Sequence, residues 1–108
     1  MSPPKFDPVI HAPLRLQICA LLSPMWTADF QMLRDELGIS DSVLSKHIKQ
    51  LEDAGYVMQT KAAKNGRQRT TVIFTGKGRK AFQRHIATLQ ALASLANGND
   101  KAEDDPET

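Results

Sequence analysis

The sequence contains little of what secreted and membrane proteins depend on. Its single cysteine, Cys19, cannot build an intramolecular disulfide framework and suits a reducing cytoplasm. No apolar run approaches the roughly 20 residues that a membrane-spanning helix needs. Pro3 and Pro4 precede charged residues, where a signal peptide would have an apolar stretch. We therefore expect a cytoplasmic protein with no membrane partner.

Motifs of common catalytic and metal sites are also absent. The sequence has no Gly-rich phosphate-binding loop, nucleophile elbow or paired-carboxylate motif. Its three histidines, His11, His47 and His85, and Cys19 lack the short ligand spacings of structural zinc sites. We predict no enzyme activity, no cofactor and no metal, although a carboxylate–histidine site between two subunits stays open as an alternative.

Cys19 lies within an apolar helical stripe, which predicts a small buried core residue. The alternative is a redox switch, which needs an exposed thiolate with a low pKa. Arg15 is the one nearby residue that favours this alternative.

Acidic residues are missing from the stretch between Lys61 and Arg84, which contains eight basic residues. Residues 98–108, in contrast, contain five acids and one base, a net charge of −4. Removing them from the chain's 14 bases and 12 acids leaves 13 bases and 7 acids, a net charge of +6. The basic block is typical of a polyanion-binding surface, and the alternative is a solvated face. The acidic tail, 98–108, is predicted to be disordered.

The first half of this 108-residue chain predicts three helices in one domain, 1–97. A mainly helical segment runs from Phe6 to Leu22, with Pro13 near a helix start or a kink, and Ser23-Pro24 ends it. Met25-Trp26 is a connector that we expect to form a short strand. Thr27 is then the expected N-cap of a second helix that ends at Gly38. Ser40 then caps a third helix, which ends at Ala54-Gly55.

The second half predicts a hairpin and a long final helix. Tyr56 to Ala62 and Arg69 to Phe74 have strand composition, and Asn65-Gly66 between them is a strong hairpin signal. Thr75 caps a helix that stops at Asn97-Gly98. The predicted fold is mainly α with a small β-hairpin, in the order of a winged helix-turn-helix with a long C-terminal dimerisation helix.

The third helix has one apolar and one polar face when each residue advances by about 100°. Leu44, Ile48 and Leu51 fall together and should face the core. The polar face and its flanks comprise Ser42, Ser45, Lys46, Lys49, Gln50 and Asp53.

This polar face predicts contacts with double-stranded DNA. Base-reading residues come from the N-terminal half of a recognition helix, so Ser42, Ser45 and Lys46 are the expected groove contacts. Lys49 and Gln50 lie further along and should contact phosphate. His47 lies between the faces, where it either packs on the neighbouring helix or contacts phosphate.

The hairpin is the second expected DNA contact, because its basic residues surround the Asn65-Gly66 turn. Arg67 directly follows the turn and is the candidate for minor-groove insertion. Lys77 is a further candidate for phosphate contact, whereas Arg79, Lys80 and Arg84 either contact phosphate or form a solvated surface. The predicted wing contacts are Lys61, Lys64, Arg67 and Arg69.

Two stretches resemble the small winged-helix regulators related to the MarR and ArsR groups. They are Ser45 to Val57 and the Asn65-Gly66-Arg67 wing followed by Phe74-Thr75, and the resemblance covers about Phe6 to Leu95. It implies a prokaryotic homodimeric transcription factor, usually a repressor, that binds a pseudo-palindromic operator and dimerises through its terminal helices.

The chain departs from both groups where their effectors act. The helix before the recognition helix has no Cys or His, unlike that of metal-sensing ArsR members. The extra helices that frame an effector pocket in longer MarR members are largely missing at 108 residues. A small-molecule effector therefore stays an unidentified partner.

The last helix predicts a second copy of the chain as a partner, because its apolar stripe extends beyond the core that one small domain can supply. A twofold pair would place two recognition helices roughly 34 Å apart, one DNA turn. The predicted interface residues are Phe6, Ile10, Leu89, Leu92, Ala93 and Ala96.

An alternative function from another class is a winged helix used for protein–protein assembly. Such a module would not need the block of eight bases without an acid.

Overall fold

The computed structural model describes residues 5–98 and combines five helices with one small antiparallel sheet in that range. The predicted acidic tail lies outside the described residues, apart from Gly98. In chain order the elements are α1 (Pro8–His11), α2 (Pro13–Met25), β1 (Thr27–Asp29), α3 (Phe30–Leu37), α4 (Asp41–Asp53), β2 (Val57–Lys64), β3 (Arg67–Phe74) and α5 (Gly76–Ala96).

The predicted N-terminal helix is two helices. Asp7 caps α1 by accepting hydrogen bonds from the amides of Val9 and Ile10, at 3.0 and 3.2 Å. Extended backbone at Ala12 then separates α1 from α2, because a residue before proline disfavours the helical conformation, and Pro13 opens α2. Ser23-Pro24 does not end α2, contrary to the prediction. The helix includes Pro24 in its last turn and reaches Met25.

The sheet has the strand order β1-β3-β2, with antiparallel pairing throughout. Thr27 was wrongly predicted as a helix cap: it lies in β1 opposite Ile73, and Asp29 is the N-cap of α3. The pairing of this short edge strand with β3 outweighs the local capping signal. Asn65 and Gly66, with φ of 52° and 77°, form the two-residue turn of the hairpin, as expected for Asn-Gly.

The core lies between the helices and the inner face of the sheet. Leu44, Ile48 and Leu51 of α4 are fully buried, which confirms the predicted apolar face. Cys19 is also buried, and burial together with the nearby Asp7 carboxylate raises the pKa of its thiol to about 12. The predicted core role of Cys19 is therefore confirmed, and the redox alternative lacks the exposed thiolate that it needs.

Helix α5 begins in very close contact with the end of α4. Thr75 caps it by accepting a 2.9 Å hydrogen bond from the Gly78 amide, and its hydroxyl donates to the Gly55 carbonyl at 2.7 Å. A Cβ at Gly78 would lie 2.2 Å from the Tyr56 carbonyl oxygen, so this approach requires glycine. Within residues 5–98, no helix is long and apolar enough to cross a membrane.

Candidate nucleic-acid interface

The turn between α3 and α4 fixes the direction of the predicted recognition helix. Gly38 has a φ of 65°, and its amide donates to the Arg34 carbonyl at 2.9 Å. Ser40 caps α4 by accepting from the Val43 amide at 3.2 Å. The Arg34 guanidinium also reaches the Asp41 carboxylate at 2.8 Å, so it ties the end of α3 to the first turn of α4.

The predicted groove-contacting side chains lie together on the outside of α4. Ser42, Ser45 and Lys46 are all exposed, on the side opposite the buried leucines and isoleucine. The helix N-terminus beside them carries a partial positive charge. The arrangement offers hydroxyl donors and acceptors together with one ammonium group, which suits the edges of base pairs.

Lys49 lies further along the same exposed side and forms a 2.9 Å ion pair with Asp53, one turn later. The hydrogen bond to Asp53 raises the pKa of Lys49. Both side chains are well exposed, and such surface pairs are weak, so a phosphate can replace the Asp53 carboxylate. The prediction of a phosphate contact at Lys49 therefore stands as a prediction.

Gln50 was predicted to contact phosphate, and its side chain has another partner in the structure. Its amide oxygen accepts a hydrogen bond from the Arg15 guanidinium of α2, and it is half-buried. The same guanidinium nitrogen lies 3.1 Å from Nδ1 of His47, while Nε of Arg15 donates to the Val9 carbonyl. The predicted packing of His47 against a neighbouring helix is thus confirmed.

Arg15 was not predicted as a residue of this site. It interrupts the apolar stripe of α2, and an arginine at such a position indicates a buried polar contact with another element. The sequence does not identify that element, because Gln50 and His47 lie more than thirty residues away.

Lys61 on β2, Arg67 after the turn and Arg69 on β3 are exposed cations of the wing. Arg69 also forms a 2.8 Å ion pair with Asp29, which links β3 to the end of β1. Lys64 ends β2 opposite Arg67. The predicted set therefore lies on one hairpin, with Arg69 also bracing it.

The remaining basic residues of the block divide between structure and surface. The Arg79 guanidinium stacks on the Trp26 ring at 3.9 Å and donates to the Phe74 carbonyl at 3.0 Å. The Lys77 ammonium lies over the Tyr56 ring at 5.8 Å. Lys80 and Arg84 are exposed. Some basic residues of the block between Lys61 and Arg84 are therefore engaged in contacts within the domain.

The residues predicted to form the dimer interface are not all exposed. Ile10 was wrongly assigned to it, because it is fully buried in the core of its own chain. Phe6 is 42% exposed, although its ring lies 4.6 Å from that of His11. Along α5, Leu89 is half-buried, and the remaining predicted residues and one further leucine are exposed: Leu92, Ala93, Leu95 and Ala96.

A helix-turn-helix followed by a two-stranded wing and a long helix defines a winged helix protein. A family model described as a winged helix DNA-binding domain matches residues 14–93. The chain therefore belongs to this family of DNA-binding domains.

Individual relatives agree with this assignment. The chain is 33% identical over 85 residues to the uncharacterized protein MJ0432 of Methanocaldococcus jannaschii, which covers 79% of this chain and 92% of that protein. A transcriptional regulator homologue from Pyrococcus horikoshii superposes with a TM-score of 0.79 and 29% identity, covering 83% and 89% of the two chains. The transcriptional regulator BldR from Sulfolobus solfataricus shares the fold with a TM-score of 0.67 and 21% identity, over 79% and 60% of the chains.

Proposed function

We propose that this protein is a transcriptional regulator related to the MarR and ArsR groups that binds double-stranded DNA sequence-specifically. It acts in the cytoplasm as a homodimeric repressor on a pseudo-palindromic operator. The observation that carries the proposal is the exposed polar side of α4, with Ser42, Ser45 and Lys46, next to an exposed basic wing. These two surfaces follow one another in the chain and are held on one core.

The two surfaces supply different parts of the binding energy. Side chains on α4 can read base edges, whereas Lys61 and Arg67 on the wing can neutralise phosphates or enter the minor groove. The fully buried Leu44, Ile48 and Leu51 support the base-reading role, because they fix α4 on the core before DNA arrives. A recognition helix that is already positioned loses less entropy on binding.

The homodimer is supported by the exposed apolar side of α5. Leu92, which is 42% exposed, continues the stripe that begins at the half-buried Leu89, together with the exposed Ala93 and Ala96. A second copy that covers this stripe would remove apolar surface from water and pair two recognition helices.

Selection of bound sequences from random duplex DNA, at a stated salt concentration, tests the proposal. We expect an enriched pseudo-palindromic site. If each subunit neutralises about four phosphates, the plot of log affinity against log salt has a slope of about −7. A salt-independent affinity, or no preference for the selected site over random DNA, would contradict the proposal and favour the assembly-module alternative.

A further inference from the structure

All three histidines of the chain take part in contacts that hold the N-terminal segment, defined here as Lys5–His11. His11 and His85 contact each other between α1 and α5, with Nδ1 of His11 3.1 Å from Nε2 of His85. His47 contacts Arg15, which also binds the Val9 carbonyl. The same segment is therefore linked to the C-terminal helix and, through Arg15, to the recognition helix.

The hydrogen bonds at His85 define where its proton lies. The Asp7 backbone amide donates to Nδ1 of His85 at 3.3 Å, so Nδ1 must be unprotonated. A neutral His85 then carries its proton on Nε2 and donates to Nδ1 of His11. A proton added to either of these two Nδ1 atoms removes a hydrogen bond, so the chain of contacts requires both rings to be neutral.

The surroundings of His85 oppose protonation. It is 1% exposed, and burial lowers its pKa, as does the neighbouring His11, while the Asp7 carboxylate acts in the opposite direction. That carboxylate is itself occupied, because it accepts from the Tyr56 hydroxyl and from two backbone amides of α1. The other charged groups beside His85 are cations: Lys5 and Arg84 line the same small cavity.

His47 must also be neutral to keep its contact with Arg15. A guanidinium can only donate, so the contact between Arg15 and Nδ1 of His47 exists only while that nitrogen is unprotonated. Burial lowers the pKa of His47, and the positive charges of Arg15 and Lys46 lower it further. Protonation would place a second cation against Arg15, whose other partners are the Val9 carbonyl and the Gln50 amide.

We propose that these histidines make operator binding sensitive to pH, so that mild acid releases the N-terminal segment and Arg15 from their contacts and weakens specific binding. The inference rests on the proposed function. It assigns a role to the hydrogen-bonded side of α4, at His47 and Gln50, rather than to the exposed side that faces DNA.

Simple electrostatics predicts that acid strengthens DNA binding, which is the opposite of the effect proposed here. Each protonated histidine adds a positive charge, which strengthens binding to phosphates. Carboxylates with ordinary pKa values stay ionised above pH 5, so they do not confuse the comparison. Specific binding that weakens in acid while binding to random DNA does not weaken is therefore a distinctive result.

The experiment compares the affinity for the selected duplex with that for a random duplex at pH 7.5 and pH 5.5, at constant salt. Circular dichroism spectra at both pH values check that the protein stays folded, and the lower pH is raised if it does not. We expect an approximately tenfold loss of specific affinity, which His47 and His85 together supply if the pKa of each differs by about 0.7 unit between the engaged and released states. Affinity for random DNA should be unchanged or higher. Equal or tighter specific binding in acid would overturn the inference, whereas no specific binding at either pH would overturn the proposed function.

Two variants identify the groups responsible. In His47→Asn and His85→Asn an amide oxygen can replace Nδ1 as the acceptor but does not titrate. We expect the ratio of specific affinities at the two pH values to fall in each variant and to approach one in the double variant, which retains only His11. An unchanged tenfold ratio in the double variant would contradict the assignment.

A measurement on the unmodified protein does not depend on how the variants fold. Nitrogen-15 spectra of the histidine rings report the tautomer and pKa of each ring without DNA. We expect His85 to be protonated on Nε2 at pH 7.5 and to titrate below the ordinary histidine range. The Nδ1 tautomer, or an ordinary titration for both His85 and His47, would overturn the inference.

Discussion

Lys46 places its ammonium group on the exposed side of α4, next to Ser42 and Ser45 and away from the hydrogen bonds that occupy His47 and Gln50. A lysine in this position can donate to guanine O6 and N7 in the major groove. Its contribution should therefore depend on the base that it meets.

Replacing Lys46 with alanine tests this dependence. We expect Lys46→Ala to weaken binding at the preferred site by about 1–3 kcal/mol and to relax base preference at one position. Lys80→Ala is the charge-matched control, because it removes an exposed lysine from α5. It should leave base preference unchanged. Selection from random DNA with each variant gives the answer, and an unchanged preference in Lys46→Ala would show that the DNA-facing side of α4 is wrongly assigned.

Gly78 is packed so closely that a side chain at this position should lower folding stability. An added Cβ would lie 2.2 Å from the Tyr56 carbonyl oxygen and 2.9 Å from the Phe74 ring, so α5 must move away from the sheet. We expect Gly78→Ala to lower the free energy of unfolding by about 1–3 kcal/mol, the usual cost of overpacking.

Gly76→Ala is the matched control for this substitution, two residues earlier in the same helix. The nearest atom to its added Cβ is a side-chain nitrogen of Arg79 at 3.8 Å, an ordinary contact. It should be neutral or raise the free energy of unfolding by about 0.4–1 kcal/mol. Urea denaturation of both variants measures the difference, and similar midpoints would contradict the close packing.

The wing is the element in which a charge is expected to act without reading sequence. Arg67 follows the Asn65-Gly66 turn and is exposed, whereas Arg69 is braced against Asp29 at 2.8 Å. Arg67 can therefore reach along the DNA backbone while Arg69 holds the hairpin to β1.

We expect Arg67→Ala to weaken binding to selected and mutated sites by similar factors and to lower the salt slope by about one. Its effect should thus differ in kind from that of Lys46→Ala. Binding titrations on both sites at several salt concentrations test this, and a change confined to one base position would assign Arg67 to direct base reading instead.

Sequence patterns predicted which helices and strands form more accurately than where each of them begins and ends. The buried face of α4, the Gly38 and Thr75 caps and the Asn65-Gly66 turn each depend on local chemistry, and the structure confirms them. The short strand β1 was expected at Met25-Trp26 and lies at Thr27–Asp29, because its position depends on pairing with β3, more than forty residues away, which local propensity does not show. The partner of Gln50 was hidden for the same reason, because a helical wheel shows the direction of a side chain but not what another helix places there.

At the scale of the whole molecule, α5 extends apolar surface past the core. Positions 89, 92, 93 and 96 fall on one side of the helix, while Ala87 and Ala91 point away from it at about 100° per residue. Covering the first set with a second copy would also set the separation of the two recognition helices.

Replacing Leu89 and Leu92 with lysine should therefore give folded monomers that lose most operator affinity. Ala87→Lys with Ala91→Lys adds the same charge on the opposite side and should stay dimeric. Sedimentation at tens of micromolar distinguishes the two, and a monomeric unmodified protein would exclude the proposed dimer.

The free energy of unfolding of the whole molecule should also depend on pH. The pKa values of His47 and His85 are lowered in the folded protein, chiefly by burial. Their neutral forms therefore stabilise the fold fully above the ordinary histidine pKa of about 6.5, and this stabilisation is lost as the pH falls toward the lowered values. Urea midpoints should fall between pH 7.5 and pH 5, with a smaller fall in the His47→Asn/His85→Asn variant. Equal falls in the two proteins would assign the pH dependence to other groups.

The stacking of Arg79 on Trp26 gives the protein a built-in fluorescent reporter. Trp26 is the sole tryptophan in the sequence, it is 55% exposed, and its ring lies 3.9 Å from a guanidinium at the start of α5. Separation of α5 from the β1 side of the domain would remove that cation from the indole and change its emission. Docking of the C-terminal helix can therefore be followed in real time by tryptophan emission, without a label.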